Sequence, residues 1–327
     1  MEPLQEDFTP LLFFKGCHAQ TIIGSVSMFY KAPDSKRVYV TLPDNDQFTL
    51  EICTPNDWKS GDPTVIFIHG LCGSHKSNYL QRLAKKFYKK GIQSIRVNMR
   101  GCGSSRGLSK YLYHSGSSDD VYFALSEIRE RYPNSPLTLM GFSLGGNIVL
   151  KLVAELGETA TGLLSNVIAI CPPLDLRNTS QLISMPHNKM YEKYFINLLR
   201  EDVHYRHAHF DLPEIHLPED MSVFEFDEYY IAPQIGYKSA LEYYDACSAV
   251  KVLNKIKIPT QILFAEDDPI IDSSVVDKES LPEHVQVVIT SHGGHLGFLS
   301  NPFSKTGFRW LDYILLKWVD LFNPKKS

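Results

Sequence analysis

"LTLMGFSLGGNIVL", residues 137–150, decides how this chain folds. Its first half is an unbroken apolar run, the pattern of a strand buried on both faces. Its second half places apolar residues at helical spacing. The change from strand to helix is confined to Gly141-Phe142-Ser143-Leu144-Gly145. So tight a reversal requires residues without Cβ atoms at 141 and 145, and it forces the residue between them into strained backbone geometry. The Ser143 hydroxyl is then held out at the top of a sheet, beside a helix N-terminus whose dipole favours negative charge.

Outward from this turn, the same alternation repeats. "TVIFIHG", "SIRVNM", "VIAIC", "TQILFAE" and "VQVVIT" read as strands covered on both faces, and so as a parallel sheet flanked by helices. "YLQRLAKKFYKK" and "DDVYFALSEIRERY" read as two of those helices, the second with "SSDD" (117–120) as N-cap and acidic first turn. "RVYVTLP" and "FTLEICT" flank "DNDQ" and read as an antiparallel hairpin leading into the sheet. Residues 174–246 break the rhythm. They are rich in Tyr, His, Glu and Pro and carry no comparable strand, so a mostly helical cap is expected over the carboxyl edge of the sheet, where ligands of open α/β sheets bind. Tyr229, Tyr230 and Tyr237 lie in it and serve either an apolar cavity or the cap's own core.

Serine is a poor nucleophile at neutral pH, so Ser143 needs a base and an orienting acid. Both are expected further along the chain, acid first, each just past a strand. "ILFAEDDPII" supplies Asp267 and Asp268, and "VVITSHGGHLGF" supplies His292 and His295. Asp268 is preferred as lying three residues past Ala265, with Pro269 stiffening its turn. His295 is preferred because the two glycines before it let an imidazole swing over the serine. "IFIHGLCGS" (66–74) ends a strand in an HGxxG turn, where the main-chain N–H of Leu71 is expected to join that of Leu144 in holding an oxyanion.

With 327 residues, 43% hydrophobic, a net charge of −4 and no basic stripe, the chain can bury about 75% of its unfolded surface and is not built for nucleic acid. Six cysteines without a CxxC pair, and an opening "MEPLQEDF" that is no leader peptide, lead to the expectation of a reduced, cytoplasmic protein. No apolar run reaches the ~20 residues of a membrane span. Two other motifs were weighed against a metal or nucleotide role. His204, His207 and His209 in "HYRHAHF" offer one pair at ligand spacing but no positioned third group. "GCGSSRG" (101–107) lacks the lysine of a phosphate loop. No cofactor and no metal are expected.

Taken together, "HGLCG", "GFSLGG", "AEDDP" and "GGHLGF" resemble the α/β-hydrolase superfamily over about residues 10–317. "HAQTI" (18–22), "NMRGCGSS", "YHSG" (113–116), "FDEYY" (226–230) and "DDPII" narrow the resemblance to the YheT-like hydrolases, AB hydrolase family 4. The resemblance implies one α/β-hydrolase domain over 1–327, with a mostly parallel eight-stranded sheet, a helical cap at 174–246 inserted after strand six, and an N-terminal extension 1–36 packing on the domain. It puts nucleophile, acid and base on Ser143, Asp268 and His295. It implies a carboxylic ester hydrolase acting on a small-molecule ester or lipid, with medium-chain acyl esters expected. Eukaryotic members often carry a membrane anchor ahead of this region, and none is expected here. Three alternatives remain: a catalytically silent binding protein on the same fold, a thioesterase and an acyltransferase. "FTPLLFF" (8–14) is expected at the pocket rim or against lipid as a peripheral membrane contact, and residues 308–322 as the closing helix of the sheet. His18 and His114 read as structural histidines. Oligomeric state is not legible.

Overall fold

The computed structural model describes residues 7–26 and 30–323. Eight strands form one sheet in the order β1-β2-β4-β3-β5-β6-β7-β8. They are β1 (Lys36–Thr41), β2 (Gln47–Cys53), β3 (Thr64–Ile68), β4 (Gln93–Asn98), β5 (Leu137–Phe142), β6 (Asn166–Ile170), β7 (Thr260–Ala265) and β8 (Val285–Thr290). β2 runs antiparallel to both its neighbours and every other pairing is parallel. The β1–β2 turn is made by Asn45 in the left-handed region at φ 68°, a conformation Asn tolerates.

The alternation of strand side chains sets the two cores. Val65, Phe67, Met140, Phe142, Ile168 and Ile170 face one way, and Ile66, Ile68, Leu137, Leu139, Val167 and Ala169 the other, as the two-residue period of a strand requires. The helices are α1 (Cys17–Ser25), α2 (Asn78–Lys89), α3 (Ser118–Arg131), α4 (Leu144–Leu156), α5 (Ala160–Leu163), α6 (Leu176–Ile183), α7 (Lys189–His209), α8 (Val223–Phe226), α9 (Ala232–Gln234), α10 (Ala240–Cys247) and α11 (Trp310–Phe322). α2 and α11 cover the first face. Asp312 of α11 is buried between them and pairs with Arg82 at 2.7 Å and Lys86 at 2.9 Å. α3 and α4 cover the second face.

Helices α6 to α10 occupy the interval between β6 and β7, where the cap was expected, and their inward side chains are continuous with the second core. Asn147 on α4 ties them down. Its Nδ2 donates to the carbonyls of Ser115 and Cys247, and its Oδ1 accepts from the N–H of Ala249. Of the expected extension 1–36, residues 1–6 and 27–29 lie outside the described residues.

One local expectation is corrected. Ser117 does not cap α3 with its side chain; its hydroxyl instead accepts from the His114 N–H at 2.9 Å, so its acceptor is spent on the preceding turn. Segment 8–14 does not line the main cavity. Phe8 packs on Phe298 and Trp310, while Phe13 is 87% exposed. The six cysteines are free thiols, and no described helix is long and apolar enough to cross a membrane.

Candidate active site

Ser143 sits at φ 50°, ψ −123° between the end of β5 and the start of α4. Strain of this kind costs roughly 1–3 kcal/mol and survives only where the surroundings enforce it. Here they do: a methyl at Gly141 would overlap the Gly145 carbonyl, and one at Gly145 would come within 2.5 Å of the carbonyl oxygens of Ile68 and His69. Helix α4 therefore presses directly on β5 and β3, and the serine has no other place to go.

His295 stands over it. Its Nε2 is 2.9 Å from Ser143 Oγ and its Nδ1 is 2.8 Å from Asp268 Oδ2. Because a carboxylate only accepts, Nδ1 carries the ring proton and Nε2 is left as the acceptor for the serine hydroxyl. The Asp268 side chain is fully enclosed, and that of His295 is 10% exposed. Asp268 Oδ1 is fixed by the N–H groups of Ile270 and Ile271 at 3.0 and 3.1 Å.

The neighbouring candidates fall elsewhere. Asp267 Oδ1 accepts from the Gly294 N–H at 2.9 Å, and its other oxygen is 3.5 Å from His292 Nδ1. This second acid–imidazole pair braces the loop that carries His295 and does not reach the serine.

The HGxxG turn lies against Ser143 and is held by two tyrosines. The Gly70 N–H donates to Tyr79, and the Cys72 N–H donates to the Tyr113 hydroxyl at 2.7 Å, which donates in turn to the Gly70 carbonyl. Among the described residues, the N–H groups of Leu71 and Leu144 have no hydrogen-bond acceptor, and both residues line the cavity beside Ser143. His69 is a scaffold: its Nε2 accepts from the Met99 N–H and its Nδ1 donates to the Gly70 carbonyl, and burial pushes its pKa down to about 4.

Motif "HAQTI" has a structural meaning that sequence reasoning missed. On α1, Gln20 bonds the N–H and carbonyl of Leu299 and the carbonyl of Phe14, and the Thr21 hydroxyl accepts from the His295 N–H at 2.8 Å. Helix and loop meet glycine to glycine, with a methyl at Gly24 falling 2.6 Å from Gly297 Cα. His18 bonds Tyr191 of α7 at 2.9 Å, outside the cavity. His114 does line it, accepting from the Gly116 N–H, and burial pushes its pKa down to about 4.

The cavity above Ser143 has a volume of about 110 Å³. Its aromatic lining is Tyr113, Phe195, Phe226, Tyr243 and Tyr244. Of the tyrosines singled out from the sequence, Tyr229 is 70% exposed and Tyr230 is buried in the cap core, while Tyr237 lines a separate groove.

Among the described residues the one trio with metal-ligand geometry is Cys171, Asp268 and His295. The last two are committed to each other, and burial, then the charge of Asp268, pushes the Cys171 thiol well up, which keeps it protonated. His207 bonds Tyr230 and Pro213, and His209 bonds Gly107, so the "HYRHAHF" histidines turn to separate partners. Gly107 ends "GCGSSRG", whose Ser105 hydroxyl accepts from the Thr49 N–H.

A family model described as the alpha/beta hydrolase fold matches residues 63–302. The chain is 30% identical to YheT of Escherichia coli (strain K12) over 327 residues, covering 98% of this chain and 95% of YheT. It is 28% identical to a monoacylglycerol lipase of Saccharomyces cerevisiae, covering 80% of this chain and 60% of the yeast protein. Among solved structures, the Pyrococcus furiosus esterase Pf2001 superposes with a TM-score of 0.54 over 89% of this chain and 90% of its own, at 18% identity, a likeness of fold.

Proposed function

The chain belongs to the α/β-hydrolase family and is YheT-like, and from that premise we propose that it is a serine carboxylic ester hydrolase. The observation that carries this reading is His295 bridging Ser143 Oγ and Asp268 Oδ2 at 2.9 and 2.8 Å, at a serine that faces an apolar cavity.

In this mechanism Ser143 Oγ gives its proton to His295 Nε2 as it attacks the ester carbonyl carbon. Asp268 holds Nδ1–H and stabilises the imidazolium. The oxyanion takes the N–H groups of Leu71 and Leu144, which preorganised donors make worth about 10²- to 10³-fold each. His295 returns its proton to the departing alcohol, leaving Ser143 acylated. Water then attacks the acyl-enzyme with the same imidazole as base, releasing the acid. Residues in the roles of nucleophile, base, acid and oxyanion donors are thus all supplied by the chain itself.

The cavity's largely apolar lining supports medium-chain acyl esters as substrates. The test is labelling by a fluorophosphonate together with hydrolysis of p-nitrophenyl esters from acetate to palmitate, of monoacylglycerols and of phospholipids. Wild type labels and shows a maximum at medium chain length, and Ser143→Ala does neither. Labelling that survives Ser143→Ala overturns the nucleophile, and labelling without turnover of any ester overturns ester hydrolysis.

A further inference from the structure

The wall of the cavity is mostly hydrocarbon, from Leu176, Ile183, Phe195, Leu199, Phe226 and Ile231 among others. Two carboxyl groups interrupt it: Asp202, which lies 3.8 Å from Arg106, and Asp227, which has no cation beside it. Asp227 lies in a π-helical turn, 227–231, that continues α8, and it lines the cavity. Its Oδ2 accepts from the Tyr244 hydroxyl at 2.6 Å, and that hydroxyl is 3.3 Å from the hydroxyl of Ser180. Among the described residues nothing donates to Oδ1, and no lysine or arginine lines the cavity.

A carboxyl group without a cation in an apolar cavity is costly even when partly hydrogen-bonded. A cavity that took only hydrocarbon would be better lined there by leucine. Burial pushes the Asp227 pKa up to about 7, against the lowering effect of the Tyr244 hydrogen bond. Near neutral pH the group can therefore both donate and accept. That pairing suits a neutral hydroxyl, which also does both, rather than an ammonium ion, which needs the ionised form.

Resting on the ester-hydrolase reading, we propose that Asp227, Tyr244 and Ser180 form a hydroxyl-recognition subsite, and that the substrate is an ester whose cavity-bound portion carries an aliphatic hydroxyl. The hydroxyl belongs either to a hydroxylated acyl chain or to a partly esterified polyol. A site built to bond a hydroxyl rejects the analogue that lacks it, because its own polar groups are then left unpaired.

The experiment compares matched pairs, with and without the hydroxyl. One arm uses p-nitrophenyl esters of hydroxyalkanoic acids with the hydroxyl moved along the chain. A second uses monoacylglycerols against the corresponding propyl esters. A third measures labelling rates of alkyl and hydroxyalkyl fluorophosphonates, which report on the cavity whether or not any ester turns over. The expected result is at least a tenfold preference in kcat/KM or labelling rate for the hydroxylated partner at one chain position or in the glycerol arm, and the arm that shows it identifies the source. In Asp227→Leu the preference falls to near unity. The double variant Asp227→Leu/Tyr244→Phe, which removes both partners of the 2.6 Å hydrogen bond together, gives the same loss should the single variant fail to fold. A ratio near one in wild type across all arms overturns the subsite, as does a preference that persists in the folded double variant. Failure of every ester with a retained labelling preference overturns ester hydrolysis alone.

Discussion

The hydroxyl of Thr21 in the first helix accepts the main-chain N–H of His295 at 2.8 Å, across 274 residues of sequence. The imidazole proposed as base is thus positioned from the far end of the chain. Thr21→Val keeps the side chain's shape and strands that N–H. The expected outcome is a fall of about tenfold in kcat with KM nearly unchanged, since small displacements of a catalytic group are costly. The fluorophosphonate labelling rate should fall in parallel, and an unchanged rate would show that the contact does not position the imidazole.

The two adjacent carboxylates separate by role. Asp268→Asn presents the wrong group to His295 Nδ1 and should lower kcat on the order of 10³- to 10⁴-fold. Asp267→Asn touches only Gly294 and His292 and should cost about tenfold or less. Steady-state kinetics on one ester decides it, and comparable losses would mean that the two acids share the task.

Tyr113 makes two of the hydrogen bonds that hold the HGxxG turn. Tyr113→Phe frees the Cys72 N–H and loosens the turn that presents Leu71. We expect a tenfold or greater loss in kcat, with thermal unfolding lowered by the cost of an unpaired buried donor, about 1–3 kcal/mol.

Asp227 makes stability depend on pH with a definite sign. Its folded pKa of about 7 lies above the ordinary 3.8, so between those values the unfolded chain has released a proton that the folded chain still holds. Stability falls as pH rises through that window and levels off above it. Asp227→Asn removes this dependence, so its stability relative to wild type should increase from pH 4 to pH 8, by up to about 4 kcal/mol. Denaturant melts at the two pH values measure it, and parallel curves would place the Asp227 carboxyl in an ordinary environment.

Gly141→Ala drives a methyl into the Gly145 carbonyl. Backbone has to shift to admit it, and the expected cost is about 1–3 kcal/mol or more together with loss of fluorophosphonate labelling. Full labelling in this variant would mean that the turn at Ser143 has slack.

The parts of this molecule legible in its sequence are those with local causes. β5 and α4 announce themselves by periodicity, and the turn between them by two glycines. Asp268 and His295 stand out as candidates because each follows a strand whose apolar run is plain. What stayed hidden depends on partners far away in the chain. Gln20 and Thr21 read as ordinary helical polar residues until Leu299 and His295 are placed beside them. Nothing near Asp227 in "FDEYY" signals that it lines the cavity. Ser117 fails as a cap for the opposite reason: a residue three positions earlier takes its hydroxyl first.

That Gln20 and Thr21 grip Leu299 and His295, 279 and 274 residues apart, has a consequence for biosynthesis. During synthesis α1 stays without this partner until 274 further residues have been added. Chains that stop short of residue 295 leave α1 without these partners and Ser143 without its imidazole neighbour.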